Sequence, residues 1–422
     1  MIQTLYTGIS GLMTQQTGID VTANNLSNTD SIGFKSSTVE FKNLFEKSLT
    51  SASQSSSVNS TVGIGTILQA TPLVMKSGNL NPTDSSTDLA IDGNGWFALQ
   101  GKGQTVYTRN GMFNFDGSRD LVNGDGYYVL GTVQNNFDSN NVLTATPAST
   151  NLSNLSSQTP IKLPATLTYP AIPTSMVTFI GNLGQTATTR TMGGTMVDSQ
   201  GNKNVLNLTF TQTVPQPATG LSWDVTAVAT SPNSLTTTPV TYDTQKGTLV
   251  FDTSGALISS TLGTINNNGT PVTLNVGTGF AGITSNATTV SASSSSNGTP
   301  QGDLLGYKIN QNAEVLATFT NGQQVSMAKI GVSHFINDQG LQYINGTYFL
   351  ETPNSGKPYY LQDSNGNNVN GSTVLTNFLE SSNVDTTAGL TDLIVYQRAY
   401  DGSAKLISTA DQMIQKALQM HK

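Results

Sequence analysis

Apolar residues near the start of the chain fall at Ile2, Leu5, Ile9, Leu12, Ile19, Ala23 and Leu26, and Gln16 fills the remaining place in an unbroken three-four alternation. That spacing is a heptad seam and predicts one long helix, about 39 Å from end to end at 1.5 Å per residue. Gly8, Gly11 and Gly18 each lower its intrinsic helicity by up to ~1 kcal/mol, so the helix needs a partner. The far end of the chain supplies one. In "LTDLIVYQRAYDGSAKLISTADQMIQKAL", Leu393, Tyr396, Tyr400, Ala404, Ile407, Ala410, Ile414 and Ala417 recur at helical spacing. Asp385 and Asp392 lie near its start and Lys405, Lys416 and Lys422 toward its end, as the helix dipole favours. Two readings are open: two helices of a small bundle, or terminal helices that pack on each other and on neighbouring subunits. The length of both, and the want of helical companions between them, favours the second.

Between the ends the period changes to two. "DLAIDGNGWFALQ", "GYYVLGTV", "NVLNLTFTQTV", "LSWDVTAVAT", "GTLVFDTSGAL" and "PVTLNV" read as strands. Asp-Gly, Asn-Gly and Ser-Gly pairs punctuate the sequence and supply the positive φ angles of tight turns. Loose stretches at 49–61, 145–164 and 285–303 mark linkers. The last two bracket an inserted β unit at about 160–290. The expected fold is mainly β with α-helical termini: nested β domains, antiparallel and sandwich- or barrel-like, on a coiled-coil-like pair of N- and C-terminal helices. The expected divisions are a terminal-helix domain of 1–34 plus 380–422, a Ser-rich linker of 35–69, a first β domain of 70–150 plus 303–379, and an inserted outer β domain of 151–302.

The first helix is expected to end in "ANNLSNTDSIGFK", where Asn, Ser, Thr and Asp side chains can satisfy its last carbonyls and turn the chain. Gly33 then offers a permissive backbone, and Phe34 an apolar anchor for the next segment.

Composition narrows the function. Charged residues make up only 10% of the 422, against roughly 25% in an average soluble domain. With a net charge of −7 and no Lys/Arg stripe, the chain is unsuited to nucleic acid. It has no cysteine, which removes disulfides, thiol catalysis and thiolate metal sites. The start lacks the basic and apolar regions of a signal peptide, and no apolar run is long enough for a membrane span. On these grounds alone the chain reads as cytosolic.

The two ends carry more. "LYTGISGLMTQQTGIDVTANNLSNTDSIGFK" and "LESSNVDTTAGLTDLIVYQRAYDGSAKLISTADQMIQKAL" resemble the N- and C-terminal signatures of the bacterial flagellar rod and hook family. "DLAIDGNGWFALQ", "YTRNGMFNFDGSRDLVNGDGYYVLG" and "FTNGQQVSMAKIGVSHFINDQGLQYINGTYFLETPNSG" are similar to its first β domain. "MVDSQGNKNVLNLTFTQT", "LSWDVTA" and "GTLVFDTSGAL" resemble the extra outer domain of the family's hook members, although "GTMVDSQGN" lacks the aromatic that commonly precedes its Asp.

The resemblance implies a structural subunit of the flagellar hook. It would polymerise into a hollow, curved, flexible tube, a universal joint that passes torque from rod to filament. Implied partners are further copies of the chain, the rod and hook-filament junction proteins, the hook cap and the export apparatus. Implied location is the extracellular hook, reached by type III export without a cleaved signal peptide, which overrides the cytosolic reading. The subunit-packing residues would be Leu5, Ile9, Leu12, Ile19 and Leu26 on the first helix, and Leu393, Tyr396, Tyr400, Ile407 and Ile414 on the last. Asn24, Asn25, Asn28, Gly33 and Phe34, with Gln397, Arg398 and Ala399, would carry the family motif and the elbow. A distal rod or other axial subunit is the alternative within the family.

Catalysis finds little support in the residues. His334 sits in the strand-like "GVSHFIN" and His421 in the tail, and they are the only histidines. Asp363 opens "DSNGNNVNG", which departs from a calcium loop at Asn368 and Val374 and reads as a turn. Trp96 and Trp223 read as core residues. No enzyme activity, cofactor or metal is expected. The rival from another class is a secreted β-rich carbohydrate-binding or adhesive protein, which would have no need of heptad-patterned ends.

Overall fold

The computed structural model describes residues 2–44, 46–48, 61–101, 103–186, 188–232 and 238–420. His421 and Lys422, and all but one residue of the expected 49–61 linker, lie outside these.

Helix α1 spans Ile2–Ser27 and helix α2 spans Thr386–Gln419. Asp385 starts α2 by accepting from the Thr387 and Ala388 amides, at 2.9 and 3.0 Å, the standard way to occupy a helix's first free donors. The helices lie side by side and run antiparallel: Gly8, Gly11 and Gly18 of α1 meet Ile407, Ser403 and Tyr396 of α2 in turn. Beside them runs a two-stranded ribbon, Glu40–Asn43 paired antiparallel with Thr66–Ala70. It touches both helices, through a Thr14–Thr66 hydroxyl contact of 3.0 Å and an edge-to-face Phe41–Tyr396 ring pair at 6.3 Å. Within the stretch expected as a linker at 35–69, residues 40–43, 46–48, 61–63 and 66–69 are paired β structure.

The β body is built on one large sheet, with the pair Leu89–Asp92 and Thr373–Thr376 packed into the same core. Along its main path run Thr168–Tyr169, Gly302–Ile309, Glu314–Phe319, Gln324–Ile330, Tyr128–Val133, Trp96–Gly101, Gln104–Thr108, Tyr348–Leu350 and Gln342–Asn345. Early and late halves join at several registers, among them Gly131↔Ile330, Val332↔Phe97 and Phe349↔Tyr107. Leu89, Phe97, Phe113, Val129, Phe319, Met327 and Ile330 fill its core. Burial of this kind contributes roughly 1.5–3 kcal/mol per large side chain. Residues 152–169, which the expected boundaries assign to the insert, belong here. Ile161, Leu163, Leu167 and Tyr169 sit in this core, and Thr159–Pro160 pairs with the 128–133 strand.

The insert has its own core from Val177 to Ile283, around Phe179, Phe210, Trp223 and Phe251. Its five-stranded antiparallel sheet packs on a six-stranded one. In Lys203–Gln212 the buried positions alternate with open ones, Leu206, Leu208 and Phe210 facing inward, as a half-buried strand requires. Trp223 is fully buried and donates its indole N–H to Ser285 Oγ at 3.1 Å. The strand Met176–Asn182 pairs parallel with Thr270–Asn275 and with Ala281–Thr284 and antiparallel with Ser291–Ser296, so the insert adds two parallel pairs to a mainly antiparallel fold. Parallel neighbours need crossover connections, which a local reading of strands and turns cannot register.

A single turn device recurs. Asp116, Asp138, Asp198, Asp252 and Asp363 each accept from the backbone amides two and four residues on, all within 2.8–3.0 Å. The Asp363 segment is thus a turn. Burial pushes the Asp198 carboxyl up, but donors on Asn268, Asn202 and Asn204 outweigh it and hold the group below its ordinary 3.8.

Candidate functional site

The helix pair is joined by glycine. A Cβ on Gly8 would lie 2.7 Å from Ile407 Cγ1, one on Gly11 2.8 Å from Ser403 Oγ, and one on Gly18 2.9 Å from the Tyr396 ring. A methyl group would enter those gaps only if Ile407, Ser403 or Tyr396 shifted, so the glycines that weaken α1 as an isolated helix are what let α2 approach it with these side chains in place. On α2 the half-buried stripe is Leu393, Tyr396, Tyr400, Ser403, Ile407 and Ile414, with Ala410 fully buried. The five α2 packing residues expected from sequence all lie in that stripe. Ala404 and Ala417 do not: both are exposed, and Ser403 is the residue against Gly11.

The α1 seam of Leu5, Ile9, Leu12, Ile19 and Leu26 is half-buried. It lies about a quarter-turn round the helix from the glycine face at 3.6 residues per turn, so it flanks the contact with α2. Tyr6 and Met13 are 60% and 68% exposed.

At the elbow the polar run closes α1. Asn28 Nδ2 donates to the Asn24 carbonyl at 2.9 Å and Thr29 Oγ1 to the Leu26 carbonyl at 2.7 Å. Asn25 clasps the returning chain: its amide donates to Ser37 O at 2.7 Å and accepts from Ser37 N at 3.0 Å. Gly33 has φ +70°, and a Cβ there would stand 2.5 Å from the Asn110 nitrogen. Both facts demand glycine. Its N–H donates to the Glu380 carbonyl at 2.7 Å, and Phe34 beside it is buried.

The centre of the elbow is ionic. Lys35 Nζ stands 2.6 Å from Glu380 Oε1, Arg109 Nη1 stands 3.3 Å from Glu380 Oε2, and all three side chains are fully enclosed. Lys35 also donates to the Lys76 carbonyl, and the Gly78 amide to Glu380 Oε1, both at 3.0 Å. Arg109 donates to the carbonyls of Ile91 and Gly93 at 3.2 and 2.7 Å and lies over the Trp96 ring. Burial, the largest influence, pulls both the Lys35 ammonium and the Arg109 guanidinium below their ordinary ranges against the attraction of Glu380. Asn383 completes the joint, accepting from Ser36 N at 2.8 Å and donating to the Val74 and Lys76 carbonyls at 2.7 and 2.9 Å.

Asn24 is exposed on α1, and Gln397 and Arg398 are exposed on α2 with Ala399 half-buried beside them. Sequence reasoning passed over Lys35, Arg109, Glu380 and Asn383. The available signal was scarcity: in a chain only 10% charged, each of those charges sits in a signature stretch.

His334 is buried, its backbone paired with Tyr359 and its Nε2 2.6 Å from the Asn370 carbonyl. Trp96 is fully buried with its indole N–H on Asp338 at 2.9 Å. Among the described residues no three His, Asp or Glu side chains are grouped to hold a metal ion, and no helix is long and apolar enough to cross a membrane.

Three stretches match family profiles: residues 5–35 "Flagella basal body rod protein", residues 90–172 "Flagellar hook protein FlgE/F/G D1 domain", and residues 375–420 "Flagellar basal body rod FlgEFG protein C-terminal". The chain is similar to the flagellar hook protein FlgE of Borreliella burgdorferi, 27% identical with 100% of each chain covered. It is also similar to that of Escherichia coli, 29% identical over 96% of this chain and 97% of the relative. Among solved structures it resembles Helicobacter pylori flagellar hook protein FlgE2, with a TM-score of 0.52 at 16% identity, covering 71% of this chain and 100% of that one. The middle profile ends at residue 172, past the strands at 159–160 and 168–169 that join the β body.

Proposed function

We propose a mode of assembly for a chain that belongs to the bacterial flagellar rod and hook family and is a structural subunit of the flagellar hook. Copies stack helically into a hollow curved tube that bends while carrying torque from rod to filament. The helix pair lines the channel, the β body forms the wall, and the insert faces outward. Subunits leave the cell through the export apparatus without a cleaved signal peptide and add beneath the hook cap, between rod and hook-filament junction proteins.

The observation that carries this reading is the second face of α2. With the first face on α1, Val395, Leu406 and Met413 remain 57%, 49% and 45% exposed, in line with Gly402 and Met420. A helix apolar on two sides is made to be covered on two sides. Leu5, Ile9 and Leu12 on α1, beside the exposed Tyr6 and Met13, offer the matching surface on a neighbour. Asn24, Gln397 and Arg398 supply its polar rim. Only four ion pairs form among the described residues, and two of those are sealed inside the elbow. Subunit surfaces so poor in charge pairs can slide past one another as the tube bends, because no strong pair fixes a register.

The test is to replace Leu406 and Met413 by Glu together. The monomer keeps its fold, since neither side chain faces α1. Electron micrographs of the concentrated variant then show no tubes where the parent forms them. Parent-like tubes from the variant overturn the proposal.

A further inference from the structure

We propose that Lys35, Arg109 and Glu380 act together as an ionic clamp that fixes the angle between the helix pair and the β body, which makes them positioning residues for the assembled tube. The consequence for the tube rests on the assembly just proposed; the clamp itself is a property of one chain.

Three passes of the chain meet at the elbow: the exit from α1, the segment leading out of the ribbon, and the segment entering α2. Each is tied to one carboxylate. Lys35 comes from the first pass, Gly78 from the second, and Glu380 itself from the third. Arg109 adds the body, and its guanidinium is in turn held by two body carbonyls. Lys35 cross-links further by donating to Lys76 on the second pass.

This arrangement is poorly explained as simple stabilisation. Removing three charges from water costs about as much as their mutual attraction returns. The cluster also buries two cations against one carboxylate, with Arg109 Nε finding no hydrogen-bond partner among the described residues. What charged hydrogen bonds give that apolar packing does not is direction. Phe34 and Leu379, the sequence neighbours of Lys35 and Glu380, are buried, and apolar burial carries no directional bond. A carboxylate gripped from the helix side by an ammonium and from the body side by a guanidinium carries one on each side.

The absence of cysteine makes the test direct. Spin labels are placed on the full chain through S408C on the exposed face of α2 and Q362C on the body, and the distance distribution is measured in monomer. The parent gives one narrow distance. E380Q keeps the shape but removes the charge. Its distribution becomes about twice as wide as two joint states are populated, and exchange of the Gly78 amide, which donates to the Glu380 carboxylate, speeds ~10- to 100-fold, the loss of a bond to a charged group. Amide protection in the insert core stays unchanged.

If E380Q disturbs the insert core as well, K35M, which spares the Arg109–Glu380 contact, decides by the same two readouts. An unchanged narrow distance in a folded variant overturns the clamp. So does a K35M/R109M/E380L variant that keeps the narrow distance, because packing alone would then set the angle. Failure of the parent chain to form tubes would refute the assembly proposal and leave the monomer result standing. Variant tubes of parental curvature, despite a broadened joint, would refute the clamp's role in the tube.

Discussion

The two terminal helices solve opposite problems with the same residue. On α1, Gly8, Gly11 and Gly18 are each covered by a side chain of α2. On α2, Gly389 and Gly402 have nothing within 4 Å of where a Cβ would stand. The first helix is a receiving surface, smoothed so that a bulkier partner can seat. The second is an inserting helix with one apolar face committed inside the chain and another left open. Glycine in the first case is steric necessity. In the second, nothing within a single subunit requires it, and Gly402 lies in the open stripe of Val395, Leu406 and Met413.

Removing α2 altogether breaks this comparison most severely. A chain ending at residue 385 keeps Glu380 and the β body but leaves the glycine face of α1 bare. We expect complete loss of tubes in electron micrographs, loss of helical circular dichroism from both ends, and retained β signal. Tubes from that chain would show that the helix pair is dispensable. A finer break is Gly18→Leu, which forces a branched side chain into the Tyr396 ring. Overpacking of this kind costs about 1–3 kcal/mol, read as faster amide exchange along both helices. An unchanged exchange pattern would mean that the helices are not in contact there.

Acid sharpens the contrast from another side. No ion pair among the described residues joins α1 to α2, whereas the Asp198 carboxyl in the insert is held below its ordinary 3.8. A depressed folded-state pKa contributes stability that is present above the unfolded value and is lost as pH falls through the folded one. The insert should therefore weaken below about 3.8, and D198N should flatten that dependence in an acid titration of Trp223 fluorescence. The smallest effect is Gly402→Ala. With open space around it, the change should raise α2 stability in monomer by about 0.5–1 kcal/mol, where the same substitution at Gly18 lowers it. Equal signs at the two positions would end the distinction between the helices.

Much of this was legible in the chain and some was not, for physical reasons. Both helices announce themselves by spacing, and Asp385 marks the start of α2. Alternation locates Lys203–Gln212 and its neighbours as strands, and the paired halves of the body follow from recognising an insert. The glycine face stayed hidden because apolar periodicity counts only large side chains. By that measure Gly8, Gly11 and Gly18 are defects in a seam, although their spacing already matches one helical face. The parallel strands depend on how crossovers run, which no short window contains. The ion cluster joins residues 35, 109 and 380, and no spacing rule connects positions so far apart. Only the rarity of charge hinted at it.

The aspartate turns have a consequence in time as well as in shape. Each is specified within five residues, Asp116 to Asp120 or Asp252 to Ala256, so a hairpin can re-form as soon as that short stretch is free. The Lys35–Glu380 contact spans 345 positions and cannot close until nearly the whole chain is present. A subunit delivered end-first would regain its corners early and its joint last. Incomplete chains would thus have folded hairpins but no fixed angle to offer a growing tube.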